Sequence, residues 1–352
     1  MHFDPAHVNH MQAFASGFGE LGYQVSLLVH SDYKRFEDSL LKHGHVVYYE
    51  HSNQYEGVLK DARLVFIANP AVANVQLAWW CSRHGVATAY LYHEPWRGLR
   101  YYWRKGVRAQ VWALGLRVVT LAFLPRISTV VLASHAALAE YERRTRRYNA
   151  NTALIPLLFT DIYAGKEEPN SGNRRYVSFI GKATPEHQLA AFIEYVESTI
   201  GTRAGEGLEY LIATPSQLGT RMMKRLTTLT SSGKVTLQCG RVLSIEEIND
   251  YYRRSIAVWN VYAESMQSGV MAQAFMHGTP VIASRVGSFT EFVIPGVNGE
   301  LVDSPDPALV SKAVQRIRGQ LDTYVDGARR SFLTTFFYRA HLESLRKLLP
   351  TM

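Results

Sequence analysis

Short apolar runs alternate with longer stretches of helical periodicity through the first half of the chain. Apolar positions at helical spacing predict a helix over residues 9–21, which Gly22 closes. Runs rich in β-branched and aromatic residues predict strands at 23–30, 45–50, 63–70, 86–95 and 128–135. This repeated order of strand and helix is typical of an α/β domain whose parallel sheet is covered on both faces.

The same alternation restarts after a polar segment at residues 166–175, which contains glycine and proline and is typical of a linker. Further strands are predicted at 176–182, 208–215, 234–241, 255–262 and 279–284. With 352 residues the chain is long enough for two domains, which we place at 1–168 and 169–331. The last segment, 332–352, has apolar residues at roughly helical spacing and predicts a closing helix.

The amino terminus and the cysteines bear on where the protein works. No basic segment followed by an apolar core occurs at the start of the chain, so we expect no secretory signal. Only three residues precede the turn at Asp4 and Pro5, so we also expect a first strand that lacks some amino-terminal residues. Cys81 and Cys239 lie far apart without paired histidine spacing, which argues against a disulfide scaffold or a zinc site. A reducing, cytoplasmic setting is therefore expected.

Charge changes this picture more than composition does. Hydrophobic residues make up 47% of the chain and charged residues 19%, which is enough apolar content to bury sizeable cores. The net charge of +8 favours a polyanionic partner, such as nucleic acid, anionic lipid or a phosphorylated substrate. Residues 97–147 hold eleven Lys or Arg and only two Glu, so the excess positive charge is concentrated in this segment.

The strongest chemical pattern is an ordered set of turns in residues 266–302. Gly269 opens a predicted helix whose unpaired N–H groups and positive dipole end can hold a diphosphate, and Gly278 ends that helix. Gly287 makes a second tight turn, and Glu291 follows at the start of another helical turn. Any α/β domain needs glycine at such turns, so the ordered run as a whole, and no single turn, indicates a nucleotide site.

This run resembles the donor-binding region of glycosyltransferase family 4, a large family of retaining enzymes with the GT-B fold. The resemblance implies two Rossmann-like, doubly wound parallel-sheet domains facing across a cleft, with a helix at about 332–352 returning to the first domain. It implies that the first domain binds the acceptor and the second binds a nucleotide-sugar donor. The implied donor ligands in this run are Gln267, Ser268, Gly269, Val270, Gln273, Gly287 and Glu291.

Family members usually carry two glutamates eight positions apart in this run, one near the donor sugar and one on the nucleotide ribose. Counting back from Gly278, those positions hold Ser265 and Gln273, and Glu264 lies one residue out of register. The Gln273 amide can hydrogen-bond ribose hydroxyls but carries no charge. Two alternatives therefore stay open. One is a non-catalytic GT-B-like protein that binds a nucleotide or a partner in a polysaccharide assembly complex, and the other is a nucleotide-sugar epimerase.

A second resemblance lies at residues 179–187, where the family clamps the donor diphosphate. Gly181 is followed by Lys182, and His187 stands where the family has another lysine. A lysine at a strand end can balance the negative charge that the leaving nucleotide gains in the transition state. His187 is charged only where its neighbours favour the proton, and its alternative is a surface histidine at a helix start.

The acceptor-side candidates are histidines of the first domain. His93 resembles the family's histidine at a strand end, and Glu94 follows it. The pair can position the acceptor hydroxyl or help with its proton, but the resemblance implies front-face attack, in which the donor phosphate takes that proton and His93 orients. His7 and His10 are further candidates. Each of the three histidines has a purely structural alternative.

Residues 96–124 interleave Arg and Lys with Trp and Tyr before an apolar run that Arg117 interrupts. This run is shorter than the roughly 20 apolar residues that a membrane span needs. A basic face beside aromatic rings suits the headgroups of an anionic leaflet. A core helix with a solvated basic side is the alternative. Nucleic acid, whose bases also stack on aromatic residues, is disfavoured because no nucleic-acid-binding motif accompanies the charge.

These features lead to one prediction for the whole chain. We expect a metal-independent glycosyltransferase, bound peripherally to the inner face of the membrane. Its acceptor is expected to be lipid-linked or a polysaccharide, in surface glycan synthesis such as that of lipopolysaccharide. The donor is expected to be UDP- or GDP-linked, with no other cofactor. His93 and Lys182 carry the catalytic prediction, and no metal ligand and no nucleic-acid partner are predicted.

Overall fold

The computed structural model describes residues 8–31, 45–49, 56–68, 72–95, 102, 107–145 and 151–350. The chain divides into two compact units. The first consists of Met1–Thr160 together with Phe337–Met352, and the second is Asp161–Phe336. Each unit is an α/β arrangement around parallel sheets.

The elements of the first unit alternate as the apolar runs predict. In chain order they are α1 (Val8–Glu20), β1 (Ser26–His30), β2 (His45–Tyr49), α2 (Glu56–Leu59), β3 (Leu64–Ile67), α3 (Val72–His84), β4 (Ala87–Leu91), α4 (Val107–Phe123), β5 (Thr129–Leu132), α5 (His135–Thr145) and β6 (Asn151–Leu154). β1 and β2 pair in parallel, and β3, β4, β5 and β6 form a four-stranded parallel sheet in that order. The five strands predicted in this half are confirmed. β6 was missed because its sequence, NTAL, is largely polar and exposed.

Helix α1 packs its apolar face on the four-stranded sheet. Phe14 and Phe18 share a buried cluster with Leu91 of β4 and Val131 of β5. Their spacing of four residues places both rings on one face of the helix. The predicted helix end at Gly22 is confirmed, since Gly22 has a φ of 87° and provides the left-handed turn that ends many helices.

The second unit is a doubly wound domain. Its elements are β7 (Tyr176–Ile180), α6 (Leu189–Thr199), β8 (Glu209–Thr214), α7 (Thr220–Thr230), β9 (Val235–Cys239), α8 (Ile245–Arg253), β10 (Ser255–Asn260), α9 (Gly269–Met276), β11 (Val281–Ser284), α10 (Phe289–Phe292), β12 (Gly299–Val302), α11 (Pro307–Gly319) and α12 (Leu321–Ser331). The six strands are parallel in the order β12-β11-β10-β7-β8-β9. The strand order therefore reverses between β7 and β10, both of which consist entirely of buried residues.

The connecting segment before β7 is tied to the second unit. Asp161 and Glu168 both form ion pairs with Arg329 of α12, with Asp161 at 2.7 Å. Arg174 is only 9% exposed, although the polar sequence around it predicts a linker. The unit consequently begins at Asp161, before the sequence-based boundary between 168 and 169.

The carboxyl-terminal segment is helical but does not form one closing helix. It consists of a π-helical turn (Phe332–Phe336), a 3-10 turn (Tyr338–His341) and α13 (Leu342–Arg346). The break occurs at Phe337, whose backbone is extended and forms a bridge with Phe159, and the Tyr338 N–H donates to the Phe159 carbonyl at 3.2 Å. A long-range backbone pairing therefore replaces helical hydrogen bonds at this point.

Candidate functional site

The predicted donor ligands follow three neighbouring strands of the second unit. Lys182 lies just after β7, residues 267–270 follow β10 and include the first turn of α9, and Gly287 follows β11. β7, β10 and β11 are adjacent and parallel, so these segments leave the sheet at the same edge. In open α/β sheets ligands bind outside the carboxyl ends of the strands, where the strand order reverses. We call this group of segments the carboxyl edge.

Gly181 brings the end of β7 against the start of α9. Its φ is 122°, and its N–H donates to the Ala213 carbonyl at 2.9 Å. A β-carbon at Gly181 would lie 3.3 Å from Cγ2 of Val270. The structure therefore brings together Gly181 and Val270, two of the predicted ligands, and places the exposed Lys182 next to them in the chain.

The amino terminus of α9 is capped from inside. The Ser268 hydroxyl accepts the Met271 N–H at 3.2 Å and donates to Oδ1 of Asn260 at 3.0 Å. Apart from its chain neighbours and the backbone of its own helix, no described residue has an atom within 4 Å of the position where a β-carbon of Gly269 would stand. The first N–H groups of a helix have no intrahelical acceptor and carry its positive dipole end. This terminus therefore offers backbone donors beside an open space, as an anion site requires.

Asn260 is a residue of this region that the sequence did not single out. It is the last residue of β10 and is fully buried, and its Nδ2 has no hydrogen-bond partner among the residues that the structure describes. Through Ser268 it fixes the cap of α9. The only signal in the sequence is one polar residue at the end of the apolar run SIAVWN.

The side chain of Gln273 is held within the second unit. Its Oε1 accepts a hydrogen bond from the Tyr252 hydroxyl at 3.3 Å, and the Tyr252 ring stacks on His277 with the centroids 5.4 Å apart. This contact uses one of the two lone pairs of the oxygen, and the amide nitrogen can donate to a ligand.

The Gly287 turn packs directly on the loop before α9. A β-carbon at Gly287 would lie 1.7 Å from the Ser265 carbonyl oxygen, and the φ of Gly287 is 50°. The Ser288 N–H donates to the same carbonyl at 3.1 Å. Only glycine fits at this position. The turn thus fixes the loop that holds Gln267, and Glu291 follows in α10 with its side chain half-buried.

His187 is joined to Lys182 through the backbone. Its Nδ1 lies 2.5 Å from the Lys182 carbonyl, and its ring packs on Tyr262 with the centroids 4.3 Å apart. A carbonyl can only accept, so Nδ1 carries the hydrogen, and Nε2 of the neutral ring can then only accept. His187 can donate to a phosphate only when both ring nitrogens carry a hydrogen. Its contact with the Lys182 carbonyl restrains that loop in the neutral and the charged form alike.

Residues 174–319 match the family model described as glycosyl transferases group 1. This match and the fold support a GT-B glycosyltransferase. No curated protein matches the chain in sequence.

Solved structures resemble the whole chain at low identity. Sucrose-phosphate synthase from Thermosynechococcus elongatus is 17% identical with a TM-score of 0.68, covering 96% of this chain and 91% of that chain. HepE of Anabaena, in complex with UDP and glucose, is 15% identical with a TM-score of 0.71, covering 98% and 95%. A glycosyltransferase from Rickettsia africae is 11% identical with a TM-score of 0.67, covering 99% and 96%. These likenesses show the fold, two domains with parallel sheets.

In the first unit the structure brings two predicted histidines together. The rings of His10 and His93 have centroids 6.1 Å apart. Nδ1 of His10 lies 2.9 Å from the Leu158 carbonyl and therefore donates to it, and His10 is almost fully buried. His93 follows β4 and is partly exposed, and the next residue, Glu94, is exposed. His7 lies outside the described residues.

Much of the predicted membrane segment also lies outside the described residues, which within 96–124 include residue 102 and residues 107–124. The part that is described shows an outward face of α4 that is largely apolar. Val107, Val111, Leu114 and Val118 are exposed at a spacing of three or four residues, and Trp112 is 67% exposed. No helix in the described ranges combines the length and the apolar content that crossing a membrane demands.

Proposed function

We propose that this protein is a retaining, metal-independent glycosyltransferase that transfers a sugar from a UDP- or GDP-linked donor to a lipid-linked or polysaccharide acceptor. One observation carries the proposal. Several of the predicted donor ligands lie at the carboxyl edge, where Gly181, just after β7, closely approaches Val270 of α9 beside the capped helix terminus. UDP is favoured as the first nucleotide to test because HepE of Anabaena, which shares the fold, was solved in complex with UDP and glucose.

The donor diphosphate is assigned to the amino terminus of α9 and to Lys182. Backbone N–H groups at Gly269 and Val270 would donate to phosphate oxygens, and the Lys182 amine would add a positive charge. As the sugar leaves, the diphosphate gains negative charge, so these groups interact more strongly with the transition state than with the bound donor. The acceptor proton passes to the leaving phosphate, which needs no metal and no carboxylate base.

Acceptor contacts are assigned to the first unit. His93 and Glu94 stand after β4, and His10 packs beside His93. His10 donates its Nδ1 hydrogen to a backbone carbonyl, so it supports the His93 ring and does not exchange protons through that atom. His93 would orient the acceptor hydroxyl.

The outward face of α4 supports an acceptor held at a membrane. The exposed valines on one face of α4 and the exposed Trp112 beside that face suit partial insertion at the headgroup level, and the excess positive charge of residues 97–147 favours an anionic leaflet. Replacing Trp112 by Ala should weaken sedimentation with vesicles containing phosphatidylglycerol by about tenfold, from the loss of one buried aromatic side chain. Leu309→Ala, at an exposed leucine of the second unit, is the control. Equal binding of the two variants would remove α4 from the membrane contact.

The first experiment is nucleotide binding in EDTA. Calorimetry with UDP, GDP, ADP and CMP on the whole chain should show one selective nucleotide, and Lys182→Ala should weaken it. Release of free sugar from the matching nucleotide sugar without an acceptor should then be slow but measurable. No binding of any nucleotide would overturn the proposal.

The second candidate is a GT-B-like protein that binds a nucleotide without catalysis. The observation in its favour is that Ser265 and Gln273 occupy the positions of the two family glutamates and that Oε1 of Gln273 is engaged by Tyr252. Tight nucleotide binding with neither donor hydrolysis nor transfer to any lipid acceptor would favour it over an enzyme.

A further inference from the structure

Two Arg-Arg pairs stand at equivalent places in the second unit. Arg174 and Arg175 directly precede β7, and Arg253 and Arg254 directly precede β10. β7 and β10 are hydrogen-bonded neighbours in a parallel sheet, so their amino ends lie side by side and the two pairs meet there. The sequence signal is the repetition of RR before YVSFI and before SIAVW.

A cavity of about 630 Å³ opens where the two pairs meet. All four arginines line it, together with Tyr163, Asp250 and the polar segment 167–173. We call it the arginine cavity. Its volume is that of a small-molecule site.

Arg174 is the most buried of the four arginines that line this cavity. Its guanidinium donates to the carbonyls of Ser255 at 2.9 Å and His277 at 2.6 Å and to the Thr279 hydroxyl at 2.7 Å. None of these acceptors is a carboxylate, so the charge of Arg174 is satisfied by dipoles alone. Burial lowers the pKa of Arg174 to about 10, which still leaves the side chain charged at neutral pH.

Two of the other three arginines flank Tyr176, and one of them, Arg175, also forms an ion pair with Glu209 at 3.4 Å. Arg175 and Arg254 both lie over the Tyr176 ring and both donate to its hydroxyl, at 2.9 and 3.2 Å. Asp250 forms ion pairs with both Arg253 and Arg254, at 3.5 and 3.3 Å. A guanidinium has five N–H donors, so these contacts leave N–H groups of the three arginines available for a ligand.

The lining therefore has an excess of positive charge. It contains four arginines and three acidic residues, an excess of one positive charge. Glu168 is bound by Arg329, Asp250 is shared by two arginines, and Glu209, outside the lining, pairs with Arg175. Arginines present paired donors that match the oxygens of a phosphate group, and a positively charged concave surface attracts polyanions.

We propose that the arginine cavity binds the phosphate groups of a small soluble polyanion, such as a diphosphate or a sugar phosphate, at a second site distinct from the donor site. The two sites lie at opposite ends of β7, whose five residues span roughly 16 Å. A single diphosphate is too short to contact both. The proposal does not depend on the donor assignment, because the cavity is defined by its own residues.

The test is calorimetry of the whole chain with inorganic pyrophosphate. The R253Q/R254Q variant should lose the cavity site, with affinity lowered roughly tenfold to hundredfold from the loss of charged hydrogen bonds. Arg221→Gln, at an exposed arginine of α7, is the matched control and should bind like the wild type. Lys182→Ala should leave this site unchanged. Unaltered pyrophosphate binding by the double variant would overturn the proposal.

Two further measurements cover the cases of an unfolded variant and of a lipid ligand. If R253Q/R254Q unfolds, Arg175→Gln removes an arginine of the same cavity whose side chain is 46% exposed, and it should still weaken pyrophosphate binding. Vesicles containing phosphatidic acid distinguish a lipid headgroup from a soluble phosphate. The double variant should sediment with them like the wild type. Loss of vesicle binding with unchanged pyrophosphate binding would contradict a soluble ligand. UDP binding by each variant reports on the donor site separately.

Discussion

In the six-stranded sheet of the second unit, the two ends of the strands are built on different principles. We call the end where β7 and β10 begin the amino edge, opposite the carboxyl edge. At the carboxyl edge the chain uses glycine, backbone groups and one exposed lysine. Gly181 and Gly287 allow close approach there, and the terminus of α9 is left facing an open space. At the amino edge the contacts are made by large side chains, among them Arg174, Arg329 and the buried His277.

Helix α9 connects the two edges. Ser268 caps its amino terminus, and at its other end Arg329 donates to the Met276 carbonyl and Arg174 to the His277 carbonyl. Two cations at a helix carboxyl terminus interact favourably with its dipole. The carboxyl end of α9 is therefore stabilised entirely by the protein, whereas its amino end leaves backbone N–H donors for a ligand.

The largest effect is expected at the carboxyl edge from Gly287→Ala. The added β-carbon would meet the Ser265 carbonyl, and backbone cannot move away as a flexible side chain can. We expect a loss of roughly 3 kcal/mol in the free energy of unfolding, measured by urea denaturation. Gly296→Ala is the matched control. Gly296 has a φ of 81° but open space around it, so only about 1 kcal/mol of backbone strain is expected. Equal losses would show that the close approach is not needed.

Lys182→Ala tests the catalytic part of the same edge. We expect kcat/KM to fall about hundredfold, as when one donor to a developing anion is removed, with little change in stability. Lys234→Ala, at an exposed lysine before β9, should keep full activity. Activity of Lys182→Ala equal to that of this control would exclude Lys182 from the site.

The smallest effect is expected at the amino edge and depends on pH. His277 is fully buried between the Tyr163 hydroxyl at 2.7 Å and Oδ1 of Asn249 at 3.0 Å. Burial, aided by nearby arginines, lowers the pKa of His277 from 6.5 to about 3. The unfolded chain therefore binds a proton below pH 6.5 that the folded protein does not. The stability from this group is complete above pH 6.5 and is lost as the pH falls toward 3.

His277→Asn should reduce this pH dependence. Between pH 6.5 and 4.5, one such group contributes at most about 1.4 kcal/mol per pH unit to the slope of the unfolding free energy. The variant should be less stable than the wild type at pH 7.5 and show a shallower slope on acidification. His84→Gln, at an exposed histidine, should leave the slope unchanged. A variant slope as steep as that of the wild type would contradict the role of His277.

The sequence revealed the carboxyl edge better than the amino edge. Apolar runs such as YVSFI and SIAVW predict buried strands, and glycine turns mark where backbone must bend, so the place of Gly269 and Gly287 could be read directly. The role of Arg174 could not, because a buried arginine and a linker arginine look alike in a polar run. The break at Phe337 was equally hidden, since it depends on pairing with the distant Phe159.

The most direct test of the account is hydrogen exchange of the whole chain with and without saturating UDP in EDTA. Bound nucleotide should slow the exchange of backbone amides at residues 181–183 and 267–271, to which we assign the diphosphate. The exchange rates of residues 250–255 should not change. Saturation with UDP without protection at 267–271 would contradict the assignment of the donor site to the carboxyl edge.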